Sequence, residues 1–355
     1  ATESNWLPWR YKSCQTVASG RTGLKLIAKA LKACSNGSGL LPAYLCSSMI
    51  QPFNEEGVSV EFYRVHADLT IDLEDLQRRV SLIQPSSVLF VDYFGFPVSD
   101  GEAETLRQIK QHCWVIEDCA QGSLVEREDP VVGGIGHFVI TSFGKSLPVP
   151  DGGLVINRTD LPMPPLPPIT GSFVRHRVLA KSLRHEYLHG GLARPELENA
   201  YLSLFSAAAE ELDSEVPMQA MSPVSERLMA SLDLPGVMDR RRRNYSLLLQ
   251  AFGDDPLLKA IGTPIRTDLP EGVSPLVFPI RVDGGRRDLL RRELVSCRVF
   301  CPVHWPLPSE ISEHEFPEAL RLSRQMLGLP IDQRYKDDDM QSLIERLIQA
   351  WERVE

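Results

Sequence analysis

The first half of the sequence alternates between helix-like and strand-like segments, and this alternation restricts the fold more than any other feature of the chain. Residues 21–34 place Leu24, Ile27, Ala28 and Leu31 on one apolar stripe with the period of an α-helix. Runs rich in β-branched and aromatic residues predict strands, and amphipathic segments predict helices between them: strands at 58–65, 86–96, 113–118, 137–143 and 152–158, helices at 70–80 and 100–112. Strands that alternate with helices form a mostly parallel sheet covered by helices, so we predict an α/β fold.

The pattern changes after the last of these strands. Residues 161–171 contain five prolines, which is typical of a linker or a rigid surface excursion, and residues 172–250 are helical in pattern. The C-terminal part predicts further elements: strands at 275–282 and 298–305, helices at 286–296 and 339–354. We therefore predict a large domain over residues 1–250, which includes both middle segments, and a small α+β domain over residues 251–355.

The composition excludes several classes of protein. With 355 residues, 43% of them hydrophobic and 24% charged, the chain can bury a large core and is neither disordered nor fibrous. A net charge of −9 disfavours a nucleic-acid partner. No apolar run approaches the roughly 18 residues of a membrane span, and the first residues lack the pattern of a secretory signal. We therefore expect neither a nucleic-acid nor a membrane partner.

The cysteines indicate the redox environment. Disulfide frameworks are typical of short secreted chains with paired, closely spaced cysteines. Here the seven cysteines form an odd and scattered set, at positions 14, 34, 46, 113, 119, 297 and 301. We therefore predict a protein of the reducing cytoplasm.

Polar residues stand at the start of the first predicted helix, where a ligand could bind. In an open α/β sheet, ligands bind at the carboxyl ends of the strands, next to the helix starts. The first helix opens with Ser19, Gly20, Arg21 and Thr22, and the free N–H groups and positive dipole end of such a helix start suit a phosphate. The alternative is that Ser19 and Gly20 only cap the helix.

Two later strand ends carry residues that could bind a ligand or take part in catalysis. Asp118 ends the strand at 113–118, and Gln121 follows three residues later. Such a carboxylate can hold a protonated heteroaromatic nitrogen while the glutamine reaches another edge of the same ring; alternatively, Asp118 caps the next turn. Ser142 and Lys145 follow the next strand. Lys145 is either a solvated surface residue or, in a pocket, a nucleophilic amine able to form a Schiff base with an aldehyde.

A phosphate-binding turn, a carboxylate for a pyridinium nitrogen and a Schiff-base lysine, in this chain order, are the groups that pyridoxal phosphate (PLP) requires. The segments that carry them resemble the fold type I PLP enzymes, and among these the DegT/DnrJ/EryC1/StrS sugar aminotransferase family: ASGRTGLKLIAKAL at 18–31, VIEDCAQGS at 115–123 and TSFGKSLPVPDGGLV at 141–155. Weaker similarity continues through RRRNYSLLLQAF, PVHWPLP and LGLPIDQRYKDDDM. The resemblance implies an aspartate aminotransferase-like fold.

The resemblance also implies a role for each candidate residue. Lys145 would bind the cofactor and move a proton between substrate and cofactor carbons, while Asp118 would pair with the pyridinium nitrogen. Gln121 would contact the phenolic oxygen of the cofactor, and Tyr44 would stack on its ring. The implied catalytic residues are thus Lys145 and Asp118, and the implied cofactor-binding residues are Gly20, Arg21, Thr22, Tyr44, Asp118, Gln121, Ser142 and Lys145.

The sequence departs from the family pattern at several of these positions. Ser142 and Lys145 are closer together than in many family members. Arg21 replaces the usual threonine of the phosphate turn, and Cys46 stands where the stacking aromatic residue is common. Gln219 is the nearest polar candidate for the asparagine that the partner subunit often supplies to the phosphate.

For function, the resemblance implies a ping-pong transamination. An amino-acid donor, glutamate, would give its amino group to the cofactor, and a keto sugar linked to a nucleotide would receive it. The resemblance further implies a homodimer with shared active sites and partner contacts in residues 172–250. One alternative is a PLP-binding protein that catalyses another PLP reaction or none, and a second is a zinc hydrolase.

The zinc alternative rests on residues 185–189, HEYLH, which match a pattern in which two histidines bind zinc and the glutamate activates water. The metzincin spacing is not met, because position 192 is leucine. The other interpretation is a basic amphipathic helix at the dimer interface or at the anionic end of the substrate. A second metal candidate is weaker, because Cys297, Cys301 and His304 lack a second ligand pair and their apolar neighbours predict a buried strand. We predict no metal site.

Overall fold

The computed structural model describes residues 14–34, 37–122, 133–169, 171–190 and 194–354. Within these residues the main sheet has seven strands: β1 Cys14–Val17, β2 Gly39–Pro42, β3 Val60–Tyr63, β4 Ser87–Val91, β5 Trp114–Asp118, β6 Phe138–Ile140 and β7 Gly153–Asn157. Their order across the sheet is β1-β7-β6-β5-β4-β2-β3. From β6 to β3 all neighbours are parallel, whereas β7 pairs antiparallel with both β6 and β1. The predicted mostly parallel sheet is confirmed.

Helices between the strands cover the sheet: α1 Gly20–Cys34, α2 Ser47–Glu55, α3 Leu73–Ile83 and α4 Asp100–Ile109. Helix α1 lies very close to the sheet. A Cβ atom added at Gly23 would lie 3.0 Å from Val155 Cγ2 and 3.3 Å from Ile140 Cγ2, so only glycine fits this contact without a shift. The glycine therefore sets how closely α1 approaches β6 and β7.

The middle of the chain is helical, as predicted. After the proline-rich stretch come α5 Ser172–His189, α6 Pro195–Ser214, α7 Pro223–Ser231 and α8 Leu234–Asp254, and α5 and α6 pack against each other as a hairpin. The predicted division between residues 250 and 251 falls inside α8. Tyr245 of α8 packs with its ring centroid 4.8 Å from that of Phe278, which lies in the C-terminal part. This helix therefore connects the two predicted domains, whose division stays a prediction.

The C-terminal part has a three-stranded antiparallel sheet in the order β10-β9-β8. Its elements are α9 Pro256–Ile261, β8 Thr263–Pro264, β9 Phe278–Arg281, α10 Arg287–Ser296, α11 Pro317–Gln325, β10 Met326–Leu329 and α12 Asp337–Glu352. The strand predicted at 298–305 is wrong, because these residues form no strand and Phe300 is 62% exposed. Pro302 cannot donate a backbone hydrogen bond there, and Arg298 has a positive φ of 64°.

None of the described helices combines the length and the apolar composition that crossing a lipid bilayer requires. All seven cysteines lie in the described residues and none forms a disulfide there, and Cys119 and Cys301 are buried. The structure therefore shows no disulfide that would conflict with the prediction drawn from the cysteines.

The core strand β4 gives a direct test of the fold. Leu89 is fully buried, so Leu89→Ala should lower the free energy of unfolding by about 2–5 kcal/mol through lost apolar burial and a residual cavity. Leu82 in α3 is 72% exposed and serves as the matched control, for which we expect a change within about 0.5 kcal/mol. Urea unfolding followed by circular dichroism measures both values. Equal losses for the two variants would contradict the burial described here.

Candidate active site

A cavity of about 650 Å³ opens where the carboxyl ends of β5 and β6 meet the start of α1 and the C-terminal part of the chain. Six of the eight predicted cofactor-binding residues line it: Gly20, Arg21, Asp118, Gln121, Ser142 and Lys145. They come from three separate chain segments, which the parallel pairing of β5 with β6 and the close packing of α1 bring together. The structure therefore brings these six residues together, and their roles stay predictions.

Asp118 is a buried acidic residue of this cavity. It ends β5, is 4% exposed, and its Oδ1 atom accepts a hydrogen bond of 2.8 Å from the Ala120 N–H. Burial raises the pKa of Asp118, and the positive charge of Lys145 acts in the opposite direction. A carboxylate in this position is best stabilised by a cationic group in the cavity.

Gln121 is oriented by the backbone of a neighbouring turn. Its Oε1 atom accepts a hydrogen bond of 2.8 Å from the N–H of Phe94, which lies in a short 3₁₀ turn after β4. This bond fixes the amide, so that Nε2 is its donor end. Nε2 is buried and has no hydrogen-bond partner among the described residues. A buried donor at a cavity wall indicates that a ligand acceptor belongs there.

Lys145 lies in a short 3₁₀ helix, Phe143–Lys145, directly after β6 and Ser142. It is exposed to the cavity, and its charge acts on both Asp118 and His304. The close spacing of Ser142 and Lys145 noted above corresponds to this single 3₁₀ turn. The lysine therefore projects from the same strand end as the serine.

The loop after Lys145 is held by a residue that the sequence analysis did not select. Asp151 is 3% exposed, and its carboxylate accepts hydrogen bonds from the Ser222 N–H at 2.7 Å and the Ser222 hydroxyl at 2.5 Å. The Ser225 hydroxyl donates to it as well. Because Ser222 is the N-cap of α7, Asp151 ties the lysine loop to the start of that helix.

A second connection joins this loop to the C-terminal part. Gln333 donates from Nε2 to the carbonyl oxygen of Ser146 at 2.9 Å and accepts from Arg241 at 2.7 Å. Arg241 is 2% exposed and also donates to the carbonyl oxygens of Pro275, at 3.1 Å, and Leu276. The buried guanidinium thus links α8, two C-terminal loops and the residue after Lys145.

The predicted phosphate-binding turn is found in part. A Cβ atom added at Gly20 would lie 3.4 Å from Ser142 Cβ, so the start of α1 and the serine are in contact distance. The amides of Gly20 and Arg21 begin the helix, and neither has a hydrogen-bond partner among the described residues. The N–H of Thr22, by contrast, donates to Ser19 Oγ at 3.2 Å, and Thr22 is fully buried. For Thr22 the capping alternative therefore holds, and it does not line the cavity.

Tyr44 also differs from its predicted position. It is 1% exposed and packs inside the core, with its ring centroid 5.3 Å from that of Trp305 and 5.8 Å from that of Tyr93. Among the described residues, Cys46 and Trp305 line the cavity in this region. The stacking position predicted for Tyr44 is corrected accordingly: the ring lies behind the cavity wall, because its neighbours enclose it on the side facing the site.

The cavity has a positively charged wall that the sequence analysis identified only as a basic helix. Arg177 and Arg184 of α5 line it together with Arg334, and Lys181 lies between the two on the same helix face. Burial and the three arginines lower the pKa of Lys181 to about 8. Asp332 is the acidic residue that faces them, and Arg334 binds it at 2.6 Å. The excess of positive charge suits an anionic ligand.

The zinc alternative finds no support in the described residues. The ring centroids of His185 and His189 are 4.7 Å apart on exposed α5, but no group of three described ligand atoms within 4.8 Å includes them, and Leu192 lies outside the described residues. The group that does meet this distance, Asp92, Glu117 and Cys119, is buried beneath the site. Glu117 accepts hydrogen bonds from the backbone N–H groups of residues 133, 135 and 136, and Cys119 donates to Asp92, so all three residues already take part in hydrogen bonds within the protein.

A model of the DegT/DnrJ/EryC1/StrS aminotransferase family matches residues 9–161, the segment that carries Gly20, Asp118 and Lys145. Over this segment the chain is similar to that family. The similarity supports the predicted class, a transferase of the PLP-dependent aminotransferase type. A search of curated proteins found no match.

Solved structures share the fold over almost the whole length of this chain. PseC of Helicobacter pylori, an aminotransferase of pseudoaminic acid biosynthesis, is 17% identical with a TM-score of 0.71, covering 98% of this chain and 88% of PseC. The PLP form of Spr1654, a putative sugar aminotransferase of Streptococcus pneumoniae, is 16% identical with a TM-score of 0.69, covering 100% and 93%. DesI, in the presence of its TDP-sugar product, is 18% identical with a TM-score of 0.65, covering 96% and 80%. The predicted fold is confirmed.

Asp151 provides a test of how the lysine loop is held. Asp151→Ala removes the acceptor of three donors, two of them on Ser222 and one on Ser225, and should lower the free energy of unfolding by at least about 2 kcal/mol. Asp160→Ala, at an exposed acidic position of the same region, is the control and should change it by no more than about 0.5 kcal/mol. Thermal or urea unfolding distinguishes the two, and an unchanged Asp151→Ala variant would show that the loop does not depend on this anchor.

Proposed function

We propose that this chain is a PLP-dependent aminotransferase that moves an amino group from an amino acid, glutamate, to a keto sugar linked to a nucleotide. The observation that carries the proposal is the presence of Lys145, Asp118 and Gln121 with the start of α1 in one cavity. Each supplies a group that suits a different part of PLP. The family match supports the reaction class independently of this geometry.

The residues present fit the cofactor. The buried carboxylate of Asp118 would hold the proton of the ring nitrogen, and the unpartnered Nε2 of Gln121 would donate to the phenolic oxygen. The amides of Gly20 and Arg21, with Ser142 beside them, would bind the phosphate at the positive end of α1. The cavity thus offers a donor, a carboxylate and an anion-binding turn on separate walls.

The chain's own groups would perform the acid–base chemistry. When bound, PLP supplies an electron sink and a carrier for the amino group. The Lys145 amine would hold the cofactor aldehyde and, once released, move a proton to and from the reacting substrate carbon. Asp118 would hold the proton on the ring nitrogen, because a buried carboxylate stabilises an adjacent cation.

The positive wall supports a nucleotide-linked substrate. Arg177, Arg184 and Arg334 line the cavity and would bind the diphosphate of a nucleotide sugar, with Lys181 adding charge from α5. The DesI structure contains a TDP-sugar product, which is in keeping with such a substrate for a protein of this fold. The basic helix is thus assigned to the anionic end of the substrate.

We also propose a homodimer with shared active sites in the cytoplasm. The hairpin of α5 and α6 exposes Leu179, Leu188 and Leu202, each just over half exposed at 53%, 52% and 53%, which is typical of a face that a partner covers. The odd and scattered set of seven cysteines supports the reducing compartment.

The role of Lys145 can be tested by spectroscopy. The purified protein with added PLP should show a visible absorption band that borohydride removes, and mass spectrometry should then find the cofactor on the Lys145 peptide. Lys145→Ala and the charge-conserving Lys145→Arg should both lose this covalent capture, whereas Lys29→Ala, at an exposed position of α1, should retain it. Bleaching of the band by glutamate supports the amino donor. Capture on another lysine would refute the assignment.

The charge of the cavity wall predicts a pH effect. With a pKa of about 8, Lys181 is protonated at pH 7 and mostly neutral at pH 9, so the affinity for thymidine diphosphate should fall by about fivefold over this range. Calorimetric titration measures the affinity at both values. Lys181→Met, which removes the charge and keeps the apolar stem, should bind more weakly at pH 7 and lose most of the pH dependence. An equal pH dependence in both proteins would contradict the proposed contribution of Lys181.

A further inference from the structure

His304 lies in the cavity wall on the C-terminal side, opposite the strand ends of the main sheet. Its ring is held by two aromatic residues: the centroid lies 5.3 Å from that of Phe94 and 5.5 Å from that of Trp305, both in edge-to-face geometry. Phe94 is fully buried, and Trp305 itself packs against Phe94. Such packing restricts rotation of the imidazole, so the two ring nitrogens have different surroundings.

The nitrogen Nδ1 is sealed from solvent. It has no hydrogen-bond partner among the described residues. A neutral imidazole carries one N–H group and one acceptor nitrogen, and an N–H group buried without an acceptor is costly. The proton is therefore better placed on Nε2. Because Nδ1 is enclosed and His304 lines the cavity, Nε2 is the nitrogen available to a ligand there.

The surroundings also keep the ring neutral. Burial and the nearby positive charge of Lys145 lower the pKa of His304 to about 4. Protonation would moreover place a second N–H group at the enclosed Nδ1 position. Near neutral pH the imidazole is thus a hydrogen-bond donor of fixed direction rather than an acid or a base.

We propose that His304 donates a hydrogen bond from Nε2 to an oxygen atom of the carbonyl substrate beside Lys145, and that it thereby determines which acceptor is used. The inference rests on the proposed function, because the oxygen that His304 would contact belongs to the keto sugar that receives the amino group. A carbonyl or hydroxyl oxygen of a sugar is a suitable acceptor, and a site with a fixed donor discriminates against compounds that lack that oxygen.

The tautomer can be tested without any turnover. In a protein labelled with ¹⁵N at histidine, the His304 signals are those lost in His304→Gln. We expect the pattern of an imidazole protonated at Nε2, unchanged between about pH 5.5 and 8.5 because the group does not titrate in this range. Protonation at Nδ1, or a titration near neutral pH, would overturn the proposal whatever the reaction catalysed.

A matched pair of variants tests the substrate contact in the PLP-loaded enzyme. The amide nitrogen of glutamine can take the place of Nε2, and that of asparagine the place of Nδ1. With a TDP-linked keto sugar as the probe, His304→Asn should lower kcat/KM about 10- to 100-fold, and His304→Gln should restore most of the loss. The amino-donor half-reaction with glutamate and the visible absorption of the cofactor should change little in either variant.

The outcomes separate the two proposals. Equal losses in both variants, or equal losses in both half-reactions, would show that His304 has only a structural role and would overturn the inference. A wild-type enzyme that binds PLP and reacts with glutamate but not with the keto sugar would instead refute the proposed acceptor, and with it the substrate contact assigned to His304.

Discussion

The site depends on one buried carboxylate at the end of a central strand. Asp118 lies in a region where Asp92 and Glu117 are buried as well, so three acidic side chains share a small volume beneath the cavity. Glu117 is satisfied by backbone N–H groups, and burial raises the pKa of both Asp92 and Glu117. Of the three, Asp118 is the one that lines the cavity. Of these three acidic groups, the fold thus brings only Asp118 to the cavity wall.

The groups around this carboxylate are supported from both parts of the chain. Asp151 joins the lysine loop to α7, and Gln333 joins it to Arg241 and the C-terminal loops. These contacts bridge residues far apart in sequence. The position of Lys145 therefore depends on the packing of the C-terminal part against the main sheet as much as on β6 itself.

Local pattern predicts five of the seven strands of the main sheet, and six of the eight candidate cofactor-binding residues line one cavity. The β-branched runs of β4 and β5 and the amphipathic stripe of α1 encode their own structure, and Asp118 and Lys145 follow strands that such patterns identify. Tyr44 and Thr22 were misplaced, because a residue near a strand end or a helix start can face the cavity or the core, and only the packing decides which.

Long-range features could not be predicted in this way. Arg334 lines the same cavity as Arg177 and Arg184, although more than a hundred residues of sequence separate it from them. No local spacing in the sequence predicts this arrangement. The segment at 298–305 has the apolar composition of a strand, yet it forms an irregular wall that presents His304 to the cavity. The apolar residues of this segment thus belong to the wall of the cavity and not to a strand of a sheet.

The glycine at position 23 has a consequence for how such an enzyme can evolve. The amides that begin α1 sit at the candidate phosphate site, and their distance from the strand ends is set by the contact of Gly23 with Val155 and Ile140. One extra methyl group there would force Val155 and Ile140, or α1 itself, to give way by a few tenths of an ångström at the base of the anion-binding end. Gly23, which lines no part of the cavity, is thus constrained together with the residues that do. A larger residue at this position would require compensating changes at Val155 and Ile140.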